Sequence, residues 1–121
     1  MTRINPIDQA NLVAGHAVSY ATAFLDGRHN AAQLADNADR LFLDLLVVES
    51  PETSSFLIPV QLLAITMMRI AKHAREGHEP RELYATTPWH DRMLRWQQVL
   101  ASLVELVCQE SVTLKQEKYS A

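Results

Sequence analysis

The side chains in this chain with the widest chemical range are five histidines, one cysteine and two short clusters of charge. His73 and His78 lie five residues apart across Gly77, His16 and His29 are isolated, and His90 with Asp91 is a neighbouring pair that points to different helix faces. None of these spacings gathers ligands as compact zinc motifs do, and one thiol, Cys108, supplies no thiolate set. No metal and no cofactor are expected, and the histidines read as surface residues. Nucleophilic chemistry has no better support. There is no Gly-x-Ser-x-Gly elbow, Cys108 falls beside an apolar seam where thiols pack inertly, and three glycines are too few for a phosphate-cradling loop. Asp36 and Asp39 share a helix face, but a water-facing acidic surface accounts for them without acid-base work. The chain therefore reads as a non-enzyme.

A sharper cluster is Trp89, Arg92, Arg95 and Trp96, where two residue types enriched at binding hot spots alternate over two helical turns. Both tryptophans lie on an apolar seam and are expected in a core. The competing reading makes them anchors for a partner, with Arg92 and Arg95 gripping acidic groups or lying over the indole rings. Met67 and Met68 present the same choice between core filling and an adaptable contact surface.

The elements that position these residues follow from composition and pattern. Apolar residues make up 48% of the 121 and charged residues 21%, as in folded domains, and few glycines among many helix formers predict an all-α fold. The expected organisation is one helical domain over residues 1–121. It is a small helical bundle of three long helices plus one or two short helical turns, with a flexible tail from about residue 115. The net charge of −3 divides unevenly, with three Arg against seven acids in residues 1–68 and eight Lys plus Arg against seven acids in 69–121. Neither half has the concentrated positive field of a non-specific nucleic-acid binder. The lone cysteine, and an N-terminus without the layout of a signal peptide, predict a cytoplasmic location. The longest apolar run, Phe56 to Met68, is thirteen residues, short of the roughly 20 that span a bilayer. No membrane association is expected.

Along the chain, Asn5-Pro6-Ile7-Asp8 is a helix start, and Ile7, Ala10, Ala14, Ala17, Val18, Ala21, Phe24 and Leu25 mark an alanine-rich face that Gly27 ends. Asn30 and Gln33 have capping-box spacing, and Leu34, Ala38, Leu41, Phe42, Leu45 and Leu46 then mark the inner face of a second helix. A short turn is expected from Pro51. The third helix is expected to begin at or just before Pro59, because a proline in a helix interior costs roughly 3 kcal/mol, and to stop at Gly77. Residues 77–88 read as a loop in which Pro80 to Tyr84 can form one turn. Thr87-Pro88 opens a last helix reaching Gln109 to Gln116. Its heptad seam is Trp89, Met93, Trp96, Leu100, Leu103 and Val107, widened by Leu94, Ala101, Val104 and Cys108 on one flank and by Val99 and Leu106 on the other.

The segment that organises the rest is Phe56 to Met68, FLIPVQLLAITMM. Val60, Leu63, Met67, Ile70 and Ala74 form a core seam, and Leu62, Ile65 and Met68 a spare face beside it. Two helices with more apolar surface than one neighbour covers point to association, here a homodimer packed on the third and fourth helices. Phe56, Leu57, Leu62, Ile65, Met67, Met68, Trp89, Arg92, Arg95 and Trp96 are the candidate partner or dimer interface. In size, composition and this uneven helix pattern with its FLIPVQLLAITMM segment, the chain resembles the small all-helical anti-activators of bacterial quorum sensing. That resemblance implies a protein partner, a LuxR-type transcription regulator, whose dimerisation and DNA binding are blocked without catalysis, and it carries over no individual residue. Two other readings stand beside it. One is a different inhibitor or adaptor, for example a phage-encoded protein occluding a nucleic-acid enzyme. The other is a nucleic-acid-binding module using Arg69, Lys72, Arg75, Arg92 and Arg95.

Overall fold

The alanine-rich first helix sets the geometry of the bundle. In the computed structural model, residues 6–48, 53–76 and 88–120 are described, the side chains of residues 76, 89 and 111–120 excepted. Four helices account for nearly all of them: α1 Pro6–Leu25, α2 Ala31–Val48, α3 Ser54–Glu76 and α4 Pro88–Ser120. This is the expected all-α bundle, and the described residues hold four helices of 18 residues or more where three long ones are expected. The expected Asn5 cap, the turn from Pro51, the Gly77 stop and the turn at Pro80 to Tyr84 fall outside the described residues.

α1 buries Ala10, Ala14, Ala17 and Ala21 almost completely. Side chains this short let a neighbouring backbone approach closely. The result is an arrangement in which α1 and α3 meet across the diagonal, while the described residues of α2 and α4 stand at opposite corners and pack on α1 and α3. The bundle interior is filled from the other three helices, by Leu34 and Leu41 of α2, Leu57, Val60, Leu63, Met67 and Ile70 of α3, and Leu100 and Val107 of α4. Each such side chain contributes about 1.5–3 kcal/mol relative to exposure.

The helix ends are made by local chemistry. Gly27 takes φ 79°, the left-handed region in which glycine alone is unstrained. The Arg28 N–H donates to Ala23 O at 2.8 Å and the Gly27 N–H to Phe24 O at 3.0 Å, the paired bonds of a Schellman ending. Asn30 and Gln33 close the expected capping box: the Gln33 N–H donates to Asn30 Oδ1 at 2.9 Å and the Asn30 N–H to Gln33 Oε1 at 2.8 Å. Thr53, fully buried, precedes α3; its hydroxyl donates to Val48 O at 3.4 Å, and the Leu57 N–H donates to Thr53 O at 3.0 Å.

Several expectations are corrected here. α3 does not start at Pro59 but runs through it from Ser54. Pro59 removes one intrahelical bond, to Ser55 O, just after the first turn, whose N–H groups lack helical partners in any case. Burial of Phe56 and Leu57 in that first segment, at about 2 kcal/mol each, offsets the proline. In α2, Leu46 faces outward and Val48 inward, and in α1 Val13 is buried while Leu25 is exposed. Cys108 is exposed rather than packed. α4 continues to Ser120, past the expected Gln109 to Gln116, in a stretch with no helix-breaking residue. The apolar stretch of α3 is also longer than the run of thirteen: Ser54–Arg75 has the length and hydropathy of a membrane span. Half of it is buried inside the bundle, as in a core helix.

Candidate functional site

Two grooves flank α3, one apolar and one cationic. The apolar groove, between α2 and α3, is a cavity of about 270 Å³ lined by Phe42, Leu45, Leu46, Gln61 and Ile65. Beyond its lip the apolar surface continues on both helices. On α2, Leu43, Leu46 and Val47 are 64, 76 and 80% exposed, and on α3 Ile58, Leu62 and Ile65 stand outward at a 4-3 spacing. A second cavity, of about 220 Å³, extends the surface toward α1, with Leu12 and Val13 facing Val47 and Val48, and His16, Gln9 and Asp44 at its polar margin. Six large apolar side chains of α2 and α3, Leu43, Leu46, Val47, Ile58, Leu62 and Ile65, are thus each more than two-fifths exposed.

Sequence periodicity explains how α2 comes to be apolar on two sides. Leu34, Ala38, Leu41, Leu45 and Val48 repeat at three and four and are buried, which turns Leu43, Leu46 and Val47 away from the core. The first half of the same outer face carries Asp36, Asp39 and Arg40, all exposed, so the surface changes from acidic to apolar along one helix.

The second groove, between α3 and α4, is a cavity of about 270 Å³ lined by Arg69, Lys72, His73, Arg92 and Trp96. The Arg69 guanidinium lies over the Trp96 ring, 5.8 Å from its centroid. His73 is 7% exposed, which corrects its reading as a surface histidine. His29 also has a structural contact, with Asn37 Nδ2 3.3 Å from its Nδ1, tying the α1–α2 connection to α2.

The expected interface residues divide between core and surface. Phe56, Leu57 and Met67 are inside the bundle, where Leu57 and Met67 have no exposed area, so they do not face a partner. Met68 is half-buried against the core. Leu62 and Ile65 are exposed, as a spare face requires, and Ile58 extends their row. Trp96 is half-buried beneath Arg69; Arg92 and Arg95 are exposed, with Arg92 lining the cationic groove; and the side chain of Trp89 is not among those described. Of the bare apolar residues of α3, Ile65 lines the groove with α2, and the outward row Ile58, Leu62, Ile65 continues at the same spacing into Arg69 and Lys72, which line the groove with α4. Leu94, Val99 and Leu106 leave α4 partly exposed on separate flanks. The sequence reading missed Leu43 and Val47, whose signal was a second apolar row on α2 offset from the first by two residues.

Among the described residues no group of three or more His, Cys, Asp or Glu is placed to hold a metal ion. No family model matches the chain, and no characterised protein or solved structure is significantly similar to it.

Proposed function

We propose that this chain is a small regulatory protein, not an enzyme, that binds and inhibits a partner protein, and that its α2–α3 face receives an amphipathic helix of that partner. The observation that carries this reading is the exposure of Leu46 and Val47, 76 and 80%, on a helix whose inner face is already packed. Helix-in-groove recognition uses such a surface: apolar anchors at i, i+3, i+4 and i+7 enter a groove between two helices. Charge supports a hetero-partner over a second copy. α2 carries Asp36, Asp39 and Asp44 against Arg40, so it suits a helix with basic residues beside its apolar stripe, whereas two copies meeting on α2 would oppose acid to acid. Following the resemblance to quorum-sensing anti-activators, the partner is a LuxR-type transcription regulator. Occupation of its dimerisation helix then removes its DNA binding, and both proteins act in the cytoplasm.

The test is to mix the protein with each LuxR-type regulator encoded in the same genome, following regulator mass by light scattering and operator binding by mobility shift. A heterocomplex that replaces the regulator dimer and frees the operator is the expected result. Unchanged regulator dimers and operator occupancy with every regulator would refute the inhibitory role. A chain dimer that Leu46→Glu dissociates would instead assign the face to self-association.

A further inference from the structure

The outward side of α4 changes sign along its length. Arg95, Val99, Ser102, Leu106 and Glu110 repeat at three and four, so they share one stripe of the helix, and all five are exposed. Val99 and Leu106 are the bare apolar positions of that stripe, 43 and 38% exposed, with Arg95 one turn before the first and Glu110 one turn after the second. Among the described residues neither charged group forms an ion pair within the chain. The inner side of α4 is already packed, through the buried Met93, Leu100 and Val107.

The order cation, apolar, small, apolar, anion is its own complement when the helix is reversed. About the midpoint between positions 102 and 103, Val99 falls level with Leu106, and Arg95 with Glu110 about 11 Å to either side at the rise of an α-helix. Asp91, Arg92 and Glu105 fall level with positions 114, 113 and 100, none of which is charged. Parallel pairing would instead set Arg95 against Arg95 and Glu110 against Glu110. A two-fold contact between identical surfaces demands such self-complementarity. Ser102, beside the midpoint, is short enough to let two helices approach.

We infer that this stripe of α4 is a self-association surface, on which a second copy of the chain packs its own α4 in antiparallel orientation about a two-fold axis beside Ser102. The dimer then holds two pairs of Arg95 with Glu110, one at each end of a strip in which Val99 of one copy covers Leu106 of the other. The contact is narrow, which places it among weak, reversible associations with a Kd of about 10–100 µM. The acidic α2 takes no part, so this inference and the α2–α3 reading can fail separately.

Sedimentation equilibrium of the full chain from about 5 to 500 µM in low salt tests the inference. The mass is expected to rise with concentration toward twice the 13.7 kDa of one chain. Arg95→Glu and Glu110→Arg each oppose like charges at both ends of the strip and should weaken self-association by about tenfold. Both residues are exposed, so helicity by circular dichroism should stay unchanged. An equimolar mixture of the two variants should recover wild-type affinity, because each then carries the charge that the other lacks. A monomer at every concentration would overturn the proposal. So would a dimer that ignores both single substitutions, a mixture no tighter than either variant alone, or a dimer that Leu46→Glu dissociates, which would move self-association to α2.

Discussion

The two grooves beside α3 have nearly the same volume and opposite chemistry. Toward α2 the walls are Phe42, Leu45, Leu46 and Ile65, and apolar surface spreads over the lips. Toward α4 they are Arg69, Lys72, His73 and Arg92, and the one large apolar contributor, Trp96, lies under a guanidinium. One helix supplies part of each groove, because α3 packs between α2 and α4 and meets α1 only across the diagonal. Apolar area of the first kind is removed from water only by another apolar surface, and its driving force is insensitive to moderate salt. Converging cations of the second kind are neutralised by an anion, and that attraction is screened. The proposed protein-binding face is therefore apolar, and the groove beside it is cationic.

The comparison breaks most forcefully at the residue between the two surfaces. Leu63 lies on the inner side of α3 with no exposed area, so Leu63→Glu buries an unpaired carboxylate and costs more than about 4 kcal/mol, enough to unfold a domain of this size. Loss of the helical circular dichroism signal at 25 °C is expected; a folded variant that has merely lost its partner would move Leu63 to the interface. On the outer face, Leu46→Glu should change stability by no more than about 0.5 kcal/mol in urea denaturation while abolishing partner binding, since Leu46 is 76% exposed. Asn30→Ala removes half of the capping box at the start of α2 and should lower stability by about 1 kcal/mol, again read in urea. The smallest expected effect needs no mutation. Raising salt from 50 to 300 mM screens charge but not apolar contact, and should leave protein-partner affinity, measured by calorimetry, within about twofold.

How much of this was legible beforehand depends on how local the cause is. The capping box at Asn30 and Gln33 and the ending at Gly27 depend on contacts within a few residues, and the sequence announced both. Periodicity gave the core seam of α3 through Val60, Leu63, Met67 and Ile70, and the exposed row at Leu62 and Ile65. Pro59 was misplaced because its local cost was set against no burial, whereas Phe56 and Leu57 are held by tertiary contacts. Leu46 was assigned inward for a related reason: a helix with apolar residues at positions 41, 42, 43, 45, 46, 47 and 48 does not state which of them face a neighbour. The basic residues Arg69, Lys72, Arg75, Arg92 and Arg95 are grouped by charge in the nucleic-acid reading, but that Arg69, Lys72 and Arg92 line one groove with Trp96 is set by the packing of two helices about twenty residues apart in the chain.

The central claim, that the α2–α3 face and not the α3–α4 groove receives the protein partner, is tested most directly by one paired affinity measurement. A LuxR-type regulator that binds the wild-type chain is titrated in parallel with the Leu46→Glu and Arg92→Gln variants, each first shown to retain its helical signal. The account predicts that Leu46→Glu weakens the complex by about a hundredfold or more while Arg92→Gln leaves it within about twofold of wild type. Wild-type affinity for Leu46→Glu, or a loss confined to Arg92→Gln, would contradict it.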